Sequence, residues 1–398
     1  MERQESRGRG RVSVRIGIDG RVLEGTRTGV ARYLVNLLRL WAQEHQAHEY
    51  YLYFERQLPP DPLLKEPCFT RRLPLRLRLL KQNIRELLWE QAVLPLAARR
   101  DRVDLLFSPA YTMPVLFDGA TAVTIHDVSY EAHPEWSRMA QRWRLRTFSR
   151  LAARSARVVL TDSEFSKQEL LKYYSLPASK IRVVPLAAND FPGPHPAGEA
   201  GEYVKDRFGL NENYLIFVGS IFPRRCIRTL LEAFELALKD GGPASLVLVG
   251  ADCLRSSFEL PQAVEALNLR LGRRAVLHLP RVEDSELRRL YKGAAAFIFL
   301  SEYEGFGLTA LEAMACGTPV ISARTSSIPE VVGEAALLVC DPTDAVQVSQ
   351  AILAVSGDAK RRAEMVRRGL SQASRFSWDR CAEETMRVLE QCARISDC

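Results

Sequence analysis

The chain has 398 residues, 47% hydrophobic and 26% charged, with 55 Lys+Arg against 48 Asp+Glu for a formal charge of +7. That balance excludes a disordered chain, a collagen and a coiled-coil rod, and the length suits two or three domains with ample core. The excess charge is uneven: residues 1–190 hold 31 basic and 21 acidic side chains, net +10, and residues 191–398 hold 24 and 27, net −3. A cationic first half points toward a polyanion, a membrane surface or an acidic substrate.

Residues 1–11 are charged and contain no apolar stretch, so no secretory leader is expected. No apolar run approaches the ~20 residues needed to cross a bilayer. The eight cysteines include no Cys-x-x-Cys pair and read as free thiols of a reducing cytosol. The six histidines do not cluster with them, so no metal site is expected.

Short apolar runs without period-2 alternation mark strands buried on both faces. They fall at 14–19, 103–107, 121–126, 158–161 and 181–186, then at 214–219, 246–250, 275–279, 296–301, 319–323 and 336–340. The intervening segments read as helices; Val30, Tyr33, Leu34, Leu37, Leu38 and Trp41 form one apolar stripe at helical spacing. Alternating strands and helices predict an α/β protein of doubly wound parallel sheets. The Pro/Gly-rich stretch NDFPGPHPAGEAG (189–201) breaks the pattern. The expected organisation is a domain over 1–190, a linker over 191–204 and a second domain over 205–375, facing each other across a ligand cleft.

Four segments carry candidate chemistry. GTRTGVARY (25–33) has the shape of a glycine loop opening a helix, but it lacks a full G-x-G-x-x-G and a Walker A pattern. In TAVTIHDVSYEAHPEW (121–136), His126 stands at the carboxyl end of a strand, where it could bond a sugar, move a proton or simply be structural. Asp127 beside it could orient it or face an acceptor hydroxyl. YLIFVGSIFPRRCIRTLLEAF (214–234) runs from strand through the Gly219 turn to helix, with Arg224 and Arg225 between. Cations oppose a helix N-terminus, so an anionic ligand such as a diphosphate would explain them; a solvated basic turn is the plainer reading. AFIFLSEYEGFGLTALEAMACGT (296–318) is strand, glycine loop and helix start in succession, an anion site. Glu304 precedes the loop, and Glu312 lies about one turn into the helix, where a carboxylate could accept from the vicinal hydroxyls of a ribose.

In this order and spacing, together with VVLTDSEFSKQEL, KIRVVPLAAN and TSSIPEVVGEAALLV, these segments resemble the retaining glycosyltransferases of family 4, over residues 16 to about 392. The resemblance implies a GT-B fold of two Rossmann-like domains. It assigns donor-sugar positioning to Glu304, the ribose to Glu312 and backbone N–H groups for the diphosphate to Gly305, Phe306, Gly307 and Leu308. It also places Arg224 and Arg225 as a diphosphate clamp after the Gly219 turn, His126 near the transferred sugar and Gly29 near the phosphates. Asp127 and Arg32 fall on the acceptor side, and a helix over about 376–398 would pack back on the first domain. Departures are Phe222 and Cys226 where polar residues are usual, Arg225 for Lys, and Thr309 for Pro.

The implied reaction moves a hexose from a nucleotide diphosphate sugar, with GDP-mannose the first guess, to a glycan or lipid-linked acceptor. The leaving charge would fall on two arginines and a helix N-terminus with no metal cofactor, and no Asp-x-Asp motif stands in the expected place. A GT-B epimerase and a non-catalytic nucleotide-sugar binder are the alternatives. Nucleic acid is not an expected partner, since no basic motif is interleaved with aromatics. The basic, leucine-rich stretches 70–102 and 136–157 read either as solvated helix faces or as contacts for an anionic membrane, which would make a cytoplasmic protein peripheral to the inner membrane face.

Overall fold

A computed structural model describes residues 13–25, 29–75, 81–136, 139–188, 199–209, 213–253 and 259–394. Among the described residues, thirteen strands form two sheets. The first contains β1 (Arg15–Asp19), β2 (Glu49–Tyr53), β3 (Phe69–Arg72), β4 (Leu105–Ser108), β5 (Ala120–Thr124), β6 (Val158–Thr161) and β7 (Ile181–Val183) in the order β3-β2-β1-β4-β5-β6-β7. The second contains β8 (Tyr214–Val218), β9 (Ser245–Val249), β10 (Val276–Leu279), β11 (Ala296–Phe299), β12 (Val320–Ala323) and β13 (Leu337–Val339) in the order β10-β9-β8-β11-β12-β13. Every pairing within them is parallel.

The continuous apolar runs became the central strands: every residue of β4, β5, β6, β8, β9, β11 and β12 is buried. Two edge-side strands have no such run. β2 reads Glu-Tyr-Tyr-Leu-Tyr, and β3 reads Phe-Thr-Arg-Arg with only Phe69 buried. They form because Tyr50 stacks on Trp41 at 5.9 Å and packs against Phe69, which closes that end of the core. The stretch 70–102 therefore begins in a strand. Within it Trp89 and Leu94 are core, while Ile84 and Leu88 are exposed.

A helix overlaps the end of the expected 191–204 linker. Residues 189–198 lie outside the described residues, and a helix occupies Glu199–Phe208. Val204 of that helix is buried and its Tyr203 hydroxyl donates to Glu286 at 2.8 Å, which docks it on the second domain despite the glycine-rich composition before it. The final helix, Trp378–Arg394, lays one stripe (Trp378, Cys381, Ala382, Thr385, Met386, Leu389, Cys392) inward. Trp41 of the first domain donates to Ala382 O at 3.1 Å, and Arg157 to Cys392 O at 2.7 Å. No helix among the described residues is long and apolar enough to cross a membrane.

Doubly wound sheets bind ligands beyond the carboxyl ends of their strands, where the strand order reverses. In the second sheet that point lies between β8 and β11, the two strands whose following loops carry the Arg-Arg and Glu-Gly-Phe-Gly segments. In the first it lies between β1 and β4, with the loops after β1, β5 and β6 around it.

Candidate functional site

A cleft of about 410 Å³ opens between the two sheet edges. It is lined from the first domain by Gly29, Arg32, His126, Asp127 and Asp162, and from the second by Gly219, Arg225, Glu304, Gly305, Phe306, Gly307, Leu308 and Glu312 among others. Of the residues singled out from sequence, Arg224 alone is not in the lining. Its Nε lies 3.9 Å from Glu304, one layer behind.

The second domain's wall is built from two loops. After β8 the chain turns at Gly219, whose φ of +138° already favours glycine, and a Cβ there would collide with the Arg225 guanidinium. Arg225 thus lies flat on the Gly219 backbone, 5.0 Å from the centre of the Phe299 ring. Its Nη2 donates to Glu304 Oε1 at 3.0 Å, while its Nε and Nη1 are buried without a partner among the described residues. Burial holds the Arg225 guanidinium below its ordinary range, opposed by Glu304. A buried cation in the lining of a cleft, with two nitrogens lacking a partner, suits an anion receptor. The loop after β11 is tied to the first by Glu302 N donating to Arg224 O at 2.9 Å. Glu304 is fixed from four sides: its Oε1 accepts from Ser301 Oγ at 2.6 Å as well as from Arg225, its N–H donates to Ser326 Oγ at 2.9 Å, and its carbonyl accepts from Ser327 Oγ at 2.8 Å.

Gly307, at φ +100°, caps the helix Leu308–Ala315 and leaves its first N–H groups bare toward the cleft. Thr309, just inside that helix, also lines the cleft, and its buried Oγ1 has no partner. Glu312, one turn on, is 1% exposed and accepts from Arg32 Nη1 of the first domain at 3.3 Å. Arg32 Nη2 also donates to Asp284 at 2.8 Å.

The loop between Glu304 and this helix is shaped by the first domain. A Cβ on Gly305 would strike the His126 carbonyl and the Asp127 side chain, so only glycine allows this approach. The Gly305 carbonyl accepts from Ser163 Oγ at 2.7 Å and from Ser166 Oγ at 3.1 Å. Glu330 of the second domain caps the helix Glu164–Tyr174, accepting from the N–H groups of Glu164 and Phe165 at 2.9 and 2.7 Å.

His126 is positioned differently from a free proton shuttle. Its Nδ1 sits 2.7 Å from Asp162 Oδ2 and its Nε2 3.0 Å from the Pro109 carbonyl, so both ring nitrogens face acceptors and both bonds require the imidazolium. Burial alone would lower its pKa; Asp162 and the Pro109 carbonyl overcome this and raise it above the usual histidine value. Its ring is also held edge-on by Tyr33 and Tyr111. The orienting carboxylate is Asp162, at the end of β6, and not the adjacent Asp127. Asp127 accepts instead from Tyr111 Oη and Ser129 N at 3.1 and 2.8 Å. Successive residues near a strand end point to opposite sides, so the sequence neighbour was the wrong partner and the adjacent strand supplied the right one.

One group has metal-ligand spacing among the described residues: His45, His48 and Glu390, away from the cleft lining. Its bonding argues against a metal. His48 Nδ1 accepts from Val14 N at 3.2 Å, which puts the ring proton on Nε2, facing Glu390 at 3.1 Å.

As to what the cleft can do, one wall offers a buried guanidinium, a helix N-terminus and two carboxylates, the set that would receive a diphosphate joined to hydroxyl-bearing groups. The first domain contributes the opposite wall.

Comparisons with known proteins agree. The model for glycosyl transferases group 1 matches residues 203–372, and that for glycosyltransferase family 4 matches residues 27–190. The O-antigen chain mannosyltransferase B of Escherichia coli is 31% identical over 379 residues, covering 90% of this chain and 95% of its own. Among solved structures, sucrose-phosphate synthase from Thermosynechococcus elongatus superposes with a TM-score of 0.75 at 20% identity, covering 95% of this chain and 98% of that one. Anabaena Alr3699/HepE in complex with UDP-glucose superposes at 0.72 and 17%, covering 95% and 100%. These two likenesses establish the fold, two Rossmann-like domains in the GT-B arrangement. With both halves matched by family models and a relative aligned over nine-tenths of its length, the chain belongs to the group 1, family 4 glycosyltransferases.

Proposed function

We propose that this glycosyltransferase moves mannose from GDP-mannose to a hydroxyl of a glycan or lipid-linked acceptor, with retention of anomeric configuration, in the synthesis of a cell-surface polysaccharide on the cytoplasmic side of the membrane. The observation that carries the reading is Arg225, a buried cation in the cleft lining with two nitrogens whose N–H groups have no partner among the described residues. The diphosphate would take those N–H groups and the bare N–H groups at Gly307 and Leu308, beside Gly29 of the opposite wall. Glu312 would accept from the ribose hydroxyls, and Glu304 from the sugar. Arg224, behind Glu304, would add to the field that stabilises the departing charge, so no resident metal is needed. Departure on the same face as attack lets a leaving phosphate oxygen take the proton of the incoming hydroxyl. That step suits a site where His126 is committed to Asp162 and Pro109, and where its charge faces the sugar as a fixed cation. Mannose as the transferred sugar is supported by the O-antigen chain mannosyltransferase B aligned along nearly the whole chain.

The test is a donor panel. GDP-mannose should raise the melting temperature by mass action above UDP- or ADP-sugars, and release GDP when an acceptor extract is added, with or without EDTA. Proton NMR of the product should show the donor's anomeric configuration. No nucleotide release from any donor would defeat the transferase reading, and a free epimer or sugar without acceptor would favour an epimerase.

A further inference from the structure

The helix Met139–Ser155 carries Arg142, Arg144, Arg146, Arg150 and Arg154 and no carboxylate. Positions 139, 142, 143, 146, 147, 150, 151 and 154 fall at i+3 and i+4 spacings and line an open hollow of about 400 Å³ on the first domain. Its apolar members face water: Met139 is 77% exposed, Trp143 65% and Leu151 42%. Residues of this kind on a core helix turn inward, so the stripe is built for another surface.

Part of the charge is locally committed. Arg146 and Arg150 hold the buried Glu131 carboxylate at 2.8 and 3.1 Å, and Arg144 holds Glu86 at 2.8 Å. Arg142 and Arg154 have no carboxylate partner among the described residues. The Arg144–Glu86 pair joins this helix to Gln82–Leu88, which exposes Ile84 and Leu88 in its turn. Exposed apolar side chains thus accompany the arginines on both of the paired helices.

The face also adjoins the cleft. Arg142 Nη1 donates to the Pro134 carbonyl at 3.1 Å; neighbouring His133 stacks on Trp136 at 3.8 Å and meets Tyr303 edge-on at 5.6 Å. Tyr303 immediately precedes Glu304.

We propose that the Met139–Ser155 face docks on an anionic lipid bilayer, with Trp143 and Met139 entering the headgroup boundary and Arg142 and Arg154 meeting lipid phosphates. Tryptophan and long apolar side chains among arginines are what an interfacial helix presents. A second copy of the chain fits poorly, because a two-fold contact would press arginines against arginines. The inference deepens the proposed function, since a lipid-linked acceptor would reach the cleft from that surface. It rests on that reading for this link alone.

The experiment is co-sedimentation of the full chain with phosphatidylcholine vesicles, with and without phosphatidylglycerol, beside a single-stranded oligonucleotide competitor. Binding should require phosphatidylglycerol and fall away at high salt. The double variant Arg142→Gln/Arg154→Gln should bind about thirtyfold more weakly, and Trp143→Ala about tenfold more weakly. Both should melt at the wild-type temperature and keep the wild-type thermal response to GDP-mannose, because none of these residues lines the cleft. Equal binding to neutral vesicles, wild-type affinity in both variants, or an oligonucleotide that binds the same face more tightly than the vesicles would overturn the proposal. Vesicle binding without nucleotide release in the donor panel would fault the function and leave the surface standing; the reverse would fault the surface alone.

Discussion

Glu304 and Glu312 share the second domain's wall of the cleft, yet they are held in opposite ways. Glu304 is fixed within its own domain by Ser301, Arg225, Ser326 and Ser327, and it keeps its geometry whatever the first domain does. Glu312 is buried, and its long-range cation, Arg32, comes from the other domain, 280 residues earlier. A contact within one domain is preorganised, and preorganised charge is what stabilises a transition state. A contact across the cleft exists only when the cleft is closed, so it reports and stabilises closure. On the proposed function, the first carboxylate would serve the chemistry, and the second would couple ligand binding to domain motion.

The largest effect expected is at Glu304. Glu304→Gln should lower kcat roughly 10²–10³-fold with a small change in donor affinity. It should also cost about 3 kcal/mol of stability, because Arg225 would stay buried without its counter-ion. A variant retaining wild-type turnover would show that Glu304 takes no part in the chemistry. Next is the split at the cleft. Glu312→Gln should raise the donor Kd about tenfold, the loss of one charged hydrogen-bonding partner. Arg32→Gln should instead lower kcat about tenfold while donor Kd moves less than about threefold, since it acts through closure. Isothermal titration and steady-state kinetics on both variants would show it; equal shifts in the same parameter would erase the distinction.

A smaller effect, sharper in form, comes from the first domain's contribution to the wall. The His126 pKa is raised in the folded state. A raised histidine stabilises the fold fully below its unfolded value of about 6.5, and that contribution is lost as pH rises through the folded value. The melting temperature of the wild type should therefore fall, relative to that of His126→Gln, as pH rises from about 6.5 upward. A flat difference across that window would mean that the imidazole is neutral and one of its two bonds unmade.

Much of this was legible in sequence where a function needs a local pattern. The buried runs of β8 and β11 and their glycine loops are contiguous, so Gly219, Arg225, Glu304 and Glu312 could be read off directly and all line one cleft. What escaped depends on strands brought together from afar. Asp162 and Ser163 follow β6 inside the VVLTDSEFSKQEL segment, but nothing in that segment gives them a role, and they matter because β6 lies beside β5. Glu330 caps a helix of the other domain. β3 was invisible because an edge strand needs just one inward residue, Phe69, and can carry Arg71 and Arg72 outward. Helix Glu199–Phe208 was obscured by the proline- and glycine-rich run before it.

The smallest effect tests how far preorganisation of the Glu304 side extends. Cys226 follows Arg225 and adopts φ +49°, ψ +40°, a left-handed conformation that a side chain resists. Its thiol, pushed up to about 12 chiefly by burial and further by Glu302 beside it, lies 3.9 Å from the Arg224 carbonyl, and such weak thiol bonding does little to offset the strain. The conformation is imposed from both sides. Pro223 starts the short turn that delivers Arg224 and Arg225, and Ile227 begins the next helix directly afterward. Asparagine tolerates this region better than other non-glycine residues. Cys226→Asn should thus stabilise the fold by about 1 kcal/mol, or raise the melting temperature by about 2–4 °C, with turnover unchanged within about twofold. Scanning calorimetry with a parallel rate measurement would check it. A lower melting temperature would show that the buried thiol packs better than the backbone strain costs. A large loss of turnover would show that the position of Arg225 depends on residue 226, and that the Glu304 side is held less independently than its hydrogen bonds imply.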